Sequence, residues 1–294
     1  MSIKLPKIFL DSGDPEETKK AKSILGFLDG QTTNPSLVAK NPEVQKFVAE
    51  GKKLKEEELL NLYRQAIQEI DKEIAGPISV ETYADWDTTS DAMLEQAKEM
   101  KKWGRNIYVK FPTIPAGIKA ANEFVKTGGK VNMTLVFDQQ QAAAVYAATL
   151  PTFQPAFISP FVGRWDDRGF RGVDLVRNII KMYDVFNKKR NEHRVHVEVL
   201  AASIRTLEHF YAAIVLGADA ITISLPLIRE WLEDQRFVPD EKYRIETEGL
   251  RSMIYQDIPY HDDFTQYSIE KVDGSLLNEG LNKFVSDWNN LLDK

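Results

Sequence analysis

The strongest constraint on this chain is a unit that recurs along most of its length. A short stretch of period-two apolar alternation leads into a turn, and the turn into a stretch of helical period. Strand-like stretches are "IFLD" (8–11), "GFLDG" (26–30), "PISVETY" (77–83), "NIYVKF" (106–111), "VNMTLVF" (131–137), "AFISPF" (156–161), "VHVEVLAAS" (195–203) and "AITISL" (220–225). Helical patterns between them include 56–74, 88–103, 115–129, 174–189 and 206–217. Thr88, Thr89 or Ser90 can cap the second of these, Pro115 suits a first helical turn, and Gly128 and Gly217 follow helix ends. Strands alternating with helices pair in parallel through right-handed crossovers, and eight of them favour a closed (β/α)8 barrel over an open doubly wound sheet. The expectation is therefore an α/β fold: one (β/α)8 TIM barrel domain over residues 1–294, with 236–294 as a C-terminal extension. Residues 237–268 of that extension are aromatic and acidic without a clean period, so a lid, a barrel plug and an oligomer contact are all open. The chain then reads as a last amphipathic helix, "SLLNEGLNKFVSDWNNLL".

Composition narrows the function classes. With 294 residues, 43% of them hydrophobic, the chain can bury a substantial core. A formal charge of −6 argues against a nucleic-acid partner, while anionic small molecules remain compatible if arginines gather locally. The absence of cysteine excludes disulfides, thiol catalysis and cysteine-ligated metals. No GxGxxG or P-loop supports nucleotide binding. The start "MSIKLPKIFLDSGD" lacks a signal-peptide apolar region, and no apolar run approaches the roughly 20 residues of a membrane span. A cytoplasmic location without a membrane partner is expected.

In a barrel, one strand face meets the helices and the other fills the interior, with functional groups near the C-terminal strand ends. Parity then sorts the residues. In "NIYVKF", Ile107, Val109 and Phe111 share one face and Tyr108 and Lys110 the other. Ile78, Val80 and Thr82 oppose Ser79 and Glu81; Val131, Met133 and Leu135 oppose Asn132 and Thr134; Ile8 and Leu10 oppose Phe9 and Asp11; Ile221 and Ile223 oppose Thr222 and Ser224. Taken singly, Asp11 reads as a turn residue, Glu81 as an exposed strand end, and Asn132 and Thr134 as groups that satisfy backbone. Their shared parity points instead to a polar pocket, because burying such groups without partners costs roughly 1–3 kcal/mol each. A lysine among carboxylates and amides suits Schiff-base chemistry on a carbonyl or non-covalent proton transfer. His196 and Glu198 also share parity, with His193 nearby, but they sit early in their strand, and no metal site is expected.

The same residues resemble those of the transaldolase family of class I, Schiff-base-forming aldolases on a (β/α)8 barrel. "GQTTNPSLV" (30–38) is similar to its TTNPS signature and "VKFP" (109–112) falls where it carries its lysine. "VNMTLVF", "ISPFVGRWDD" (158–167), "AASIR" (201–205), "LGADAITIS" (216–224) and the final "LLNEGLNKF" (276–284) continue the likeness. Departures cluster after the lysine, where the family usually reads Ile-Pro/Ala-x-Thr-x-Glu-Gly. Here Phe111 replaces the aliphatic, Thr113 comes one place early and Ala116 replaces Glu. Gln31 and the Arg-rich loop "WDDRGFRG" (165–172) also differ.

The resemblance implies that Lys110 forms the Schiff base and that Asp11 moves the proton of the hydroxyl beside the scissile bond. Glu81 and Thr134 would position the water of imine formation and hydrolysis. Asn34, Asn132 and Ser159 would bind the dihydroxyacetone hydroxyls and the lysine nitrogen, and Arg164, Ser203 and Arg205 the substrate phosphate. Members acting as fructose 6-phosphate aldolases tend to carry Tyr where this chain has Phe161 and Gln where it has Glu81, so both positions favour transaldolase. The implied activity is cofactor-independent transfer of a dihydroxyacetone unit between phosphorylated sugars, in the manner of the pentose phosphate pathway. Sedoheptulose 7-phosphate plus glyceraldehyde 3-phosphate would give erythrose 4-phosphate plus fructose 6-phosphate. The alternatives are an aldolase that releases dihydroxyacetone and a non-catalytic sugar-phosphate-binding barrel; a homo-oligomer is open.

Overall fold

The computed structural model describes residues 4–191, 196–245 and 249–293. Eight parallel strands follow one another around a closed barrel: β1 (Lys7–Asp11), β2 (Gly30–Thr32), β3 (Ile78–Glu81), β4 (Ile107–Pro112), β5 (Val131–Val136), β6 (Ala156–Pro160), β7 (Val197–Ala201) and β8 (Ala220–Ile223). The last pairs back to the first through Ile8 and Ile221. Helix α1 (Pro15–Leu25) follows β1, and α2 (Pro35–Ala39), α3 (Pro42–Ala49) and α4 (Glu56–Glu73) follow β2. Next come α5 (Ser90–Met100), α6 (Pro115–Lys126) and α7 (Gln139–Ala148), then α8 (Val162–Asp166) and α9 (Val173–Lys189) after β6. Helices α10 (Leu207–Val215) and α11 (Leu225–Glu233) complete the ring, and α12 (Leu276–Asn289) ends the fold. The (β/α)8 expectation holds, and Thr89 is the cap of α5, its hydroxyl accepting from Ala92 N.

The two strand faces have separate cores. Ile8, Leu10, Val80, Val109, Phe111 and Met133 join the helices in one large cluster, whereas Phe9, Tyr108, Phe157, Leu200 and Ala220 form a second, smaller one. That second cluster plugs the N-terminal part of the barrel, with the Phe9 and Phe157 rings edge to face at 5.6 Å. Gly30 opens β2 because a Cβ there would lie 2.5 Å from the Phe9 ring. With the lower barrel filled by aromatics, the polar residues of the same parity stand above it, toward the C-terminal strand ends.

The second strand lies later than the pattern suggests. Gly26, at φ 80°, terminates α1, its N–H donating to Lys22 O, so "GFLD" is a loop and β2 starts at Gly30. Phe27 and Leu28 mimic a strand because they pack against the core from that loop, while the Asp29 carboxylate accepts from Ile8 N at 2.8 Å. Helix α7 escaped the periodic reading because nearly all of its residues are buried, leaving no polar face. His196 precedes β7 and sits on Tyr146 of α7 with ring centroids 4.3 Å apart, while Glu198 pairs with Lys7 at 2.6 Å. The two therefore do not meet, and His193 lies outside the described residues.

Within the C-terminal extension, residues 249–267 strap the outside of the barrel. Gln139 holds Gln256 through both backbone groups (2.7 and 2.8 Å), and Asp174 accepts from Met253 N at 3.1 Å. Ile258 and Tyr267 are buried there. The Arg-rich loop is tied to the same strap: Phe170 bridges Arg251, whose guanidinium lies 4.1 Å over its ring. Helix α12 instead returns to the barrel mouth, where Asn278 accepts from the Trp86 indole at 2.8 Å and Leu281 and Phe284 border a small cleft with Glu81.

Gln31, unusual for its motif, points away from the barrel interior and is fully buried. Its carbonyl accepts from the Thr18 hydroxyl at 2.7 Å and its amide donates to Ser12 O at 2.7 Å, which docks α1 on the barrel. Gln31→Val is therefore expected to destabilise the fold by about 1–3 kcal/mol despite adding apolar surface, through the orphaned partners. Thermal melts of Gln31→Val, and of the same variant carrying Thr18→Val, test this; the second change should recover part of the loss.

Candidate active site

Register brings the inward polar residues together. Glu81 pairs with Lys110 across β3 and β4, Lys110 with Asn132 across β4 and β5, and Asp11 with Thr32 across β1 and β2. Partners in register on adjacent strands point the same way. Hydrogen bonds then cross the barrel: Asn132 donates to Ser79 Oγ at 3.0 Å and accepts from Ser159 at 2.8 Å. Thr32 donates to Asp11 Oδ1 at 2.7 Å and lies 2.6 Å from the Thr222 hydroxyl.

Lys110 occupies the centre and is buried. Its ammonium donates to the Thr33 backbone carbonyl at 2.9 Å and lies 2.9 Å from Glu81 Oε2. The second contact is an ion pair; Glu81 Oε2 is buried and lacks a hydrogen-bond partner among the described residues, as does the buried Thr134 hydroxyl. Burial pushes the Glu81 carboxyl above the ordinary glutamate range, against the pull of the Lys110 charge, with Asp11 adding a smaller rise. Burial likewise raises Asp11, opposed by Lys110 and by its bond from Thr32. Two carboxylates thus share one lysine, which leaves a net negative charge inside the barrel if all three ionise.

The other expected residues lie around the mouth. Asn34 is half-buried and caps α2, its carbonyl accepting from Leu37 N at 3.0 Å. Phe161 is half-buried at the start of α8, its ring 5.5 Å from that of Phe137. Ser203 takes a left-handed backbone (φ 56°) and its carbonyl accepts from Gly163 N at 3.0 Å. Arg205 is exposed and already bound in a two-pronged pair to Asp167, at 2.6 and 2.8 Å. Arg164, half-buried on α8, has no direct ion-pair partner among the described residues, although its charge reaches Asp167 and Glu279. The β6 and β7 ends therefore gather Arg164, Ser203 and Arg205, and of the two arginines Arg205 is the one already paired, with Asp167.

Two supporting residues were not singled out from the sequence. Thr33 holds Lys110 through its carbonyl, and its hydroxyl contacts Ser79 O at 2.8 Å and Tyr63 Oη at 2.6 Å. Tyr63 Oη also accepts from Glu81 N at 3.0 Å, so one phenol of α4 braces both members of the ion pair. Burial raises the Tyr63 hydroxyl well above its usual value, keeping it neutral. Thr33 lies within the quoted TTNPS stretch. Tyr63 gave no signal, because it continues the Leu59, Ile67 and Ile70 stripe that any helix would bury.

Fold and site together define a (β/α)8 barrel with a buried lysine set between two carboxylates at its C-terminal mouth. Residues 8–294 match the model of the family described as Transaldolase/Fructose-6-phosphate aldolase. A protein of Sorangium cellulosum named "Probable transaldolase" is 39% identical over 226 residues, covering 76% of this chain and 88% of its own. One of the same name from Leptospira biflexa is 36% identical over 244 residues, covering 80% and 97%, and one from Clostridium botulinum 37% over 224, covering 76% and 87%. The chain belongs to the transaldolase/fructose-6-phosphate aldolase family. Among the described residues no helix is long and apolar enough to cross a membrane.

The raised carboxyls have a consequence for stability. A carboxyl whose value in the folded state exceeds its unfolded value contributes stability below the unfolded value and loses it as pH rises through the folded one. Asp11→Asn is therefore expected to raise the melting temperature at pH 7. The gain should close as pH falls toward the ordinary aspartate value of 3.8. A melting series across that range that shows Asp11→Asn less stable at neutral pH would contradict the charge balance.

Proposed function

We propose that this chain transfers a dihydroxyacetone unit from a phosphorylated ketose to a phosphorylated aldose through a Schiff base on Lys110. The observation that carries the proposal is the buried Lys110 ammonium, held by Thr33 O and Glu81 with Asp11 acting on it by charge. An attacking amine must be neutral, and an ε-amine loses its proton far more readily than a guanidinium. The Glu81 carboxyl, raised by burial, is placed to take that proton.

The amine adds to the ketose carbonyl at C2, and loss of water gives the iminium. Asp11 removes the proton of the C4 hydroxyl as the C3–C4 bond breaks, and the bonding pair moves into the iminium to leave an enamine. The aldehyde departs and an acceptor aldehyde enters. The enamine carbon attacks its carbonyl, Asp11 returns the proton to the new alkoxide, and water hydrolyses the iminium to release ketose and amine. The Thr134 hydroxyl, without a hydrogen-bond partner among the described residues, and Glu81 Oε2, ion-paired to Lys110, suit the water of the first and last steps. Asn34, Asn132 and Ser159 would hold the dihydroxyacetone hydroxyls. Arg164, Ser203 and Arg205 would hold the phosphate, Arg164 first because Arg205 must be shared with Asp167.

Transfer is favoured over release of free dihydroxyacetone by two residues: Glu81, a carboxylate, and Phe161, which brings an apolar ring rather than a phenol to the mouth. Incubation with fructose 6-phosphate, with and without erythrose 4-phosphate, tests the reading. Glyceraldehyde 3-phosphate formation that requires the acceptor is expected. Acceptor-independent release of dihydroxyacetone would identify an aldolase, and no turnover in either arm would leave only a binding barrel.

A further inference from the structure

The Thr134 hydroxyl faces the interior from a strand that is irregular at that point. Met133 pairs with Ile158, but Val136, not Leu135, pairs with Pro160, so β5 holds one residue more than β6 between those points. The extra residue sits at Leu135, whose φ of 58° is a left-handed conformation that a branched side chain adopts only under constraint. Bulges of this kind bend a strand and re-aim its side chains.

The constraint comes from Gln141, a buried side chain of α7. Its amide nitrogen donates to Leu135 O at 3.0 Å and to Thr113 O at 3.1 Å. Its oxygen accepts from Phe137 N at 2.7 Å and Asp138 N at 3.2 Å. All four hydrogen-bonding positions of the carboxamide are thus used on main-chain groups of the β4 end and the β5 bulge. Thr113 completes the clamp: its N–H (2.9 Å) and its hydroxyl (2.7 Å) both donate to Thr134 O. Gly280 of α12 backs the bulge from the other side, where a Cβ would stand 2.9 Å from Leu135 Cδ2.

We infer that Gln141 is a positioning residue that fixes the strained β5 bulge and thereby aims the Thr134 hydroxyl at the Schiff-base water. The inference rests on the role proposed above for Thr134. It also gives Thr113, which departs from the family pattern, a task beside the nucleophile's strand. No residue other than a primary amide of this length offers two donors and two acceptors to these four groups. An error of about 1 Å at a reacting group costs on the order of 100-fold in rate.

The test compares Gln141→Glu, Gln141→Met and Thr134→Val in the full chain, far below each melting temperature. Readouts are kcat, KM, and the rate at which a borohydride-reducible intermediate forms with fructose 6-phosphate. Gln141→Met is expected to lower kcat and the rate of intermediate formation by about 10- to 100-fold, with KM within about twofold. Gln141→Glu should recover activity relative to wild type as pH falls, because a protonated carboxyl regains one donor, whereas Gln141→Met should show no such recovery. If Gln141→Met melts earlier but forms the intermediate at the wild-type rate, its role is structural and the inference is overturned. If Thr134→Val itself forms the intermediate normally, the reading of Thr134 fails, and the inference with it.

Discussion

The structure depends on keeping one ammonium and two carboxyl groups in a barrel that is otherwise closed to water at its base. Desolvation works against all three charges; the attraction of Lys110 for Glu81 and Asp11 offsets only part of that penalty, and the two carboxylates repel each other. The parallel register of β3 and β4 puts Glu81 beside Lys110, and the Thr33 carbonyl takes another ammonium proton. Burial raises both carboxyls, so the cluster holds groups that take up a proton more readily than ordinary carboxylates. Stability and chemistry are set against each other at this point, which is common where a fold carries function.

The rest of the barrel can be read as support for that cluster. The aromatic layer of Phe9, Tyr108 and Phe157 fills the lower interior, so the polar residues need only occupy the upper part. Tyr63 and Thr33 tie α4 to both ends of the ion pair, and Trp288 of α12 packs on Tyr63 at 6.4 Å. Helix α12 thereby shields the Glu81 side of the mouth, while residues 249–267 brace the opposite, outer side through α7 and α9. Gln141 belongs to the same α7, which follows the bulged strand β5.

Much of this was legible in the sequence because period-two alternation is strict where one strand face meets helices and the other a polar cavity. Lys110, Glu81, Asn132, Thr134 and Asp11 were sorted by parity alone, and the structure brings them to one side of the barrel wall. Less legible were features that parity does not encode. The apolar "GFLD" imitated a strand because its phenylalanine and leucine pack from a loop, and α7 showed no period because it is buried all round. Tyr63 and Gln141 act from helices onto backbone groups, a contact that depends on tertiary placement rather than spacing. The pairing of Arg205 with Asp167 also needed the structure, since the two are far apart in the chain and their meeting depends on how β6 and β7 end.

The central claim is that Lys110 is the nucleophile. Reduction with borohydride in the presence of fructose 6-phosphate, followed by peptide mass analysis, tests it most directly. A stable adduct on the peptide carrying Lys110, abolished by Lys110→Arg, is the expected result. An adduct that survives that substitution, or maps to another lysine, would contradict the assignment.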